Sequence, residues 1–346
     1  VWGEDKTGSP LQATRLQSLR LFSFTKDTMA TSPVLRRLLA LQQRLADLDA
    51  EQRQADAEDD YDEDDDEAGG EVDAAPATLE ASHQLMFAPI GERWHVHYHG
   101  PAASTGDTEQ PIFAELLDTL AEPAIAKALH ALTFTGPDEG ANGTREWVFT
   151  PLIERGVPFP HLRHLAIPQA DNTAHNEVCI VREGEILDDA GDVGRLVALM
   201  PALESLELPQ APDPAFFKVP LPALQRLKIG AGHNPNGFIA HLARHAAQYP
   251  ALRQLDFSDV RGPFMEPEGD WPATSFADYE ALFQSAIGQQ IWSMVLRNAQ
   301  LTEAQYRQLH QMRPNASLQV THNFPGCYVS HWKPKGFVWK HLLVNG

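Results

Sequence analysis

The stretch WHVHYHG sets His95, His97 and His99 two residues apart. On a strand all three imidazoles leave the same face, an arrangement that suggests zinc or nickel. Three same-face residues span roughly 13 Å, however, whereas one ion takes its nitrogen ligands at about 2.0–2.1 Å. A metal-binding protein or metal-dependent hydrolase centred on His95, His97 and His99 is therefore the weaker alternative. The preferred reading is a histidine-rich exposed strand face, with no metal and no cofactor. HLARH places His241 and His245 one helical turn apart, but leucine stands where the metalloprotease motif requires glutamate, so the hydrolytic base is missing. DYDEDDDEAGGE has the aspartate spacing of a calcium loop without its turn glycine at the sixth position or its flanking helices. Cys179 and Cys327 lack the basic neighbours that mark a nucleophile. No G-x-S-x-G elbow, Walker loop, dinucleotide fingerprint or kinase set occurs. The chain reads as non-catalytic.

The elements that must position these residues follow one pattern. FPHLRHLAI (159–167), MPALESLEL (200–208), LPALQRLKI (221–229) and YPALRQLDF (249–257) share a hydrophobe, Pro, a small residue or His, Leu, two variable residues, Leu, one variable residue and a hydrophobe. Weaker copies are ALHALTF (128–134), QIWSMVL (290–296) and RPNASLQV (313–320). Between them AGDVGRLVALMP, NGFIAHLARHAAQYP, DYEALFQSAIGQQ and LTEAQYRQLHQMRP carry polar starts and apolar residues at helical spacing. Proline disfavours helix in the residue before it, so each unit predicts a helix stopped at the proline and a corner into a short strand. NEVCIVREGEI (176–186) predicts an additional strand pair or edge hairpin, and EPEGDWPATSFADY (266–279) a second insertion.

These units resemble leucine-rich repeats, whose hallmark is L-x-x-L-x-L, and most closely the ribonuclease-inhibitor-like type of bacterial cytoplasmic proteins. IWSMVLRNAQLTEAQYRQL fits best, with Ile291, Met294 and Leu296 at strand positions, Ala299 at the small position and Leu301 at the next leucine. The resemblance covers residues 111 to 322. It implies an α/β solenoid with a curved parallel sheet on the concave face and helices on the convex face. It also implies a cytoplasmic scaffold that binds a protein partner through that face and the repeat insertions.

Within each strand the residues between the inward hydrophobes form rows across the sheet. The middle row reads Thr133, Ala166, Glu207, Lys228, Asp256, Val295 and Gln319, and a flanking row Ala131, His164, Ser205, Arg226, Gln254, Ser293 and Ser317. Glu207, Lys228 and Asp256 lie close enough to pair with one another. Thr133, His164, Glu207, Arg226, Lys228, Gln254, Asp256 and Arg297 are the candidate partner-binding residues, with Arg226 and Arg297 as anchors.

Five segments are expected: a non-native or disordered leader (1–28, ahead of Met29), an amphipathic helix (29–55), a disordered acidic linker (56–82), the repeat domain with its N-terminal cap (83–322) and a C-terminal cap or tail (323–346). Val34, Leu38, Leu41, Leu45 and Leu48 form the apolar stripe of the helix, which is expected to pack on its own protein as a monomer rather than pair as a coiled coil. The formal net charge of −20 argues against nucleic acid or an anionic membrane as partner. Twelve of the 47 acidic residues lie between Asp56 and Asp73 with no basic residue among them, so 35 acids face 27 bases elsewhere. Two cysteines supply no disulfide framework, which suits a reduced, cytoplasmic protein.

Overall fold

The computed structural model describes residues 32–59, 83–100, 111–136, 144–169, 177–230, 234–259, 273–321 and 341–344. In chain order come α1 (Pro33–Asp59), β1 (Gln84–Ile90), β2 (Arg93–His99), α2 (Pro111–Leu120), α3 (Pro123–Ala128) and β3 (Leu129–Thr135). Next are β4 (Thr144–Val148), α4 (Thr150–Arg155), β5 (His164–Ala166), β6 (Glu177–Val181), α5 (Asp192–Ala198) and β7 (Ser205–Leu208). Then follow β8 (Arg226–Ile229), α6 (Phe238–Arg244), β9 (Gln254–Ser258), α7 (Phe276–Gln284) and α8 (Ala286–Gln290). The last elements are β10 (Ser293–Arg297), α9 (Glu303–Met312), β11 (Ser317–Thr321) and β12 (His341–Val344). The architecture is mixed α/β. Ten strands form one sheet in the order β1-β2-β3-β5-β7-β8-β9-β10-β11-β12, parallel from β2 to β11 and antiparallel only at its two ends.

Strand alternation divides the sheet into two faces. Val96, Leu132, Leu165, Leu206, Leu227, Leu255, Met294 and Leu318 form a buried row against the helices, and Tyr98, Phe134, Ile167, Leu208, Ile229, Phe257, Leu296 and Val320 a second. The residues between them are half-buried or exposed on the other face.

The proline-leucine corners have a definite geometry. The Leu162 N–H donates to the Phe159 carbonyl at 3.2 Å; Leu203 to Met200, Leu224 to Leu221 and Leu252 to Tyr249 each do so at 3.1 Å. Each unit is thus a β-turn with a buried hydrophobe at its first position, proline at the second and a buried leucine at the fourth. Ala316 repeats the bond to Arg313 across Pro314. The expectation that proline itself ends the helix is corrected for two of the three helices that lead into one. α9 does run to Met312, with Arg313 capping it directly before Pro314, but α5 ends at Ala198 and α6 at Arg244, ahead of Pro201 and Pro250, and a 3-10 turn at Ala246–Gln248 intervenes in the latter case. Proline is placed there by its fixed φ, which suits the second turn position.

Three other segments refine the expectations. The helix assigned to 29–55 runs to Asp59, with Leu38, Leu41 and Leu45 buried and the Arg37 guanidinium bonded to Thr119 at the end of α2 and to Glu122 at the start of α3. NEVCIVREGEI makes no hairpin: β6 pairs in parallel with β4 as a separate two-stranded sheet. Val178, Cys179, Ile180 and Val181 are all buried, a pattern that suits a strand covered on both faces. The Gln210 side chain joins this small sheet to the segment after β7, accepting from Ile180 N–H at 3.2 Å and donating to its carbonyl at 3.0 Å. β12 lies on the free edge of β11. The acidic linker expected over 56–82 is helical in its first four residues; its residues 60–82, residues 1–28, residues 266–272 of the second insertion and the C-terminal segment apart from β12 lie outside the described residues.

Candidate functional site

The open face carries two rows fixed by the strand register. One runs His97, Thr133, Ala166, Glu207, Lys228, Asp256, Val295 and Gln319; the other His95, Ala131, His164, Ser205, Arg226, Gln254, Ser293 and Ser317. Each residue that alternation assigns to a row occupies it, because β5 to β11 pair without a bulge and adjacent parallel strands sit about 4.8 Å apart. Thr133, His164, Glu207, Gln254 and Asp256 are half-buried here, and Arg226 and Lys228 are exposed.

The charges at the centre pair in a particular way. Lys228 Nζ reaches Glu207 at 2.5 Å. Asp256, directly opposite Lys228 in register, instead takes the Arg297 fork, accepting from Nε at 2.6 Å and Nη2 at 2.8 Å. The bond to Asp256 holds the Arg297 guanidinium above its ordinary pKa. Arg297 is therefore half-buried and committed to a neighbour rather than held out as an anchor. Arg226 has no carboxylate partner among the described residues.

The end of the face formed by β2, β3 and β5 is built from imidazoles. His95 Nε2 lies 3.0 Å from Thr133 Oγ1; His97 Nε2 and His99 Nδ1 lie 2.8 and 2.9 Å from Thr135 Oγ1. A hydroxyl has one proton, so at least one of the two rings at Thr135 donates to it. A fourth ring was hidden from sequence reading. The β2–β3 register shifts between Trp94 and His95, which pair with Leu129 and Ala131, so His130 is the extra residue of a bulge. The ring of His130 stands 5.3 Å from that of His164. Only the missing proline of ALHALTF hinted at an irregular unit.

Burial lowers the pKa of His95, His97, His99, His130 and His164, and nearby like charges lower them further. The rings do not gather around one point. Among the described residues, the group of potential ligand atoms lying within 4.8 Å of one another is Asp188, Asp189 and Asp213, not the histidines. Asp189 is buried, which raises its pKa to about 6, and its oxygens accept from the Gly191 and Asp213 N–H groups at 2.8 and 3.1 Å. This carboxylate ties two loops together. His241 and His245 stack beside Phe217 on the helical side, away from the open face, and Cys179 is buried. Cys327 lies outside the described residues.

No family model, curated protein or solved structure matches this chain. Among the described residues, no helix is long and apolar enough to cross a membrane.

Proposed function

We propose that the chain is a non-catalytic scaffold of leucine-rich-repeat type that binds a protein partner through the open face of its sheet. The observation that carries this reading is the division of the sheet. One face is sealed by buried hydrophobes under the helices, while the other carries two continuous rows from β2 to β11 that are polar or charged except at Ala131, Ala166 and Val295. A broad, polar, regular surface suits protein recognition better than chemistry, which needs convergent groups in a concave site. The proline corners and recurrent helix–strand units support the repeat assignment. Arg226 and Lys228 are the exposed cations at the centre of the face and the first contacts a partner meets.

The test is affinity capture of the partner from the native cell, repeated with Arg226→Ser, Lys228→Ser and Asp256→Ser combined. The variant should lose the partner while still melting cooperatively, its melting temperature lowered only by loss of the Asp256–Arg297 pair. Retained capture would remove the proposed face.

A further inference from the structure

We infer that the histidine end of the open face docks an extended acidic segment of a partner protein, with protons taken up as the segment binds. This rests on reading the face as a protein-binding surface and specifies what it recognises.

The chain is strongly acidic overall, yet among the described residues this end of the face holds no carboxylate left to act on the imidazoles. The charges that bear on them are their own and those of Arg93, Arg145, Arg163 and Arg226. Among the described residues, Glu204 is engaged by Arg163 and Glu207 by Lys228. On the β1 side, Gln84, Met86 and Ala88 stand opposite His99, His97 and His95 and contribute no charge. Five imidazoles and Arg226 thus form a patch that is neutral to cationic and lacks a counter-charge among the described residues.

The shape of the patch selects an extended ligand. From His95 to Arg226 the row crosses β3, β5 and β7, about 19 Å at roughly 4.8 Å per strand. An extended peptide covers that length in about six residues. A single phosphate would need donors converging on one point, which these rings do not provide. Nucleic acid is disfavoured because the two rows contain no Phe, Tyr or Trp on which bases would stack. Each ring is now kept neutral by burial and like charge. A carboxylate brought beside it favours the imidazolium, so binding and protonation strengthen each other.

The probe is fluorescein-labelled octaglutamate, titrated into the full chain and followed by anisotropy. Affinity should rise about tenfold or more from about pH 7.5 to about pH 5.5. Calorimetry at about pH 6.5 in two buffers of different ionisation enthalpy should show net proton uptake. His130→Gln combined with His164→Gln should return binding at the lower pH to its weaker level, while His310→Gln on α9 should not. The same double variant should weaken capture of the native partner. Absence of peptide binding, or pH-independent binding without proton uptake, would overturn the inference. So would tighter binding of an oligothymidylate of equal charge. Binding that emerges only after the acids between Asp56 and Asp73 become amides would assign the site to this chain's own tract, and overturn a partner segment as occupant. If capture survives the histidine changes but is lost with Arg226, Lys228 and Asp256, the acidic-segment inference falls and the binding face stands.

Discussion

The two ion pairs on the open face should differ in strength, and the difference follows from their geometry. Asp256 receives two parallel bonds from the Arg297 fork, and the side chains are 27% and 21% exposed for Arg297 and Asp256. Lys228 meets Glu207 through one ammonium contact and is 51% exposed. Unit charges about 4 Å apart attract by ~1 kcal/mol in water and ~4 kcal/mol at the effective dielectric near a protein surface. Desolvation and side-chain ordering offset most of this. The expected coupling is about 1–2 kcal/mol for the bidentate, sheltered pair and about 0–0.5 kcal/mol for the exposed one. Double-mutant cycles in urea measure both, with Arg297→Met and Asp256→Ala against Lys228→Met and Glu207→Ala. Raising the salt to about 1 M should erase the lysine coupling and only reduce the arginine coupling. Equal couplings, or a larger one for Lys228–Glu207, would refute the premise that burial and the planar fork decide the outcome.

Three further outcomes are expected. His83, His95, His97, His99, His130, His164 and His241 all have lowered pKa values in the folded chain, mainly through burial. The unfolded chain then binds more protons, so stability is full above about pH 6.5 and is lost as pH falls through the folded values. Melting temperature should drop over that window, and a flat profile would contradict it. Asp189, raised to about 6, works in the opposite direction between about pH 4 and 6, and Asp189→Asn should remove its share of the slope. Gly230→Ala would set a Cβ 1.9 Å from the Pro209 carbonyl oxygen and should cost about 3 kcal/mol by urea unfolding. Gly91→Ala meets open space and should cost about 1 kcal/mol for its left-handed backbone. Leu252→Ala should cost about 2–5 kcal/mol at its fully buried turn position. Pro250→Ala, exposed in the same turn, should cost only about 0.4–1 kcal/mol, and the reverse order would refute the turn assignment.

The sequence pattern made the rows legible because two rules are rigid there. Strand side chains alternate, and parallel neighbours pair residue for residue, so Glu207, Lys228 and Asp256 could be aligned by counting from their leucines. Counting fails at a bulge, and His130 was lost for that reason. Charge partners were harder to read than positions. Lys228 stands between two carboxylates and register alone does not choose; Arg297 lies beside Ser258, and only its length lets it reach diagonally to Asp256. The prolines marked where the chain turns but not how, since a helix stop and the second position of a β-turn accept the same fixed φ. β6 was legible as a strand from its apolar run, while its partner β4 was not, because TREWV alternates weakly and lies far away in sequence.

The most direct test of the binding face is a comparison of partner affinity between two triple variants of the full chain. One alters Arg226, Lys228 and Asp256 to serine on the open face; the other alters Glu280, Glu303 and Arg307 to serine on the helical side, where all three sit on α7 and α9. With the captured partner immobilised and both variants shown to melt cooperatively, the first variant should lose binding and the second keep it. Equal affinity of the two, or loss confined to the helical-side variant, would contradict the account.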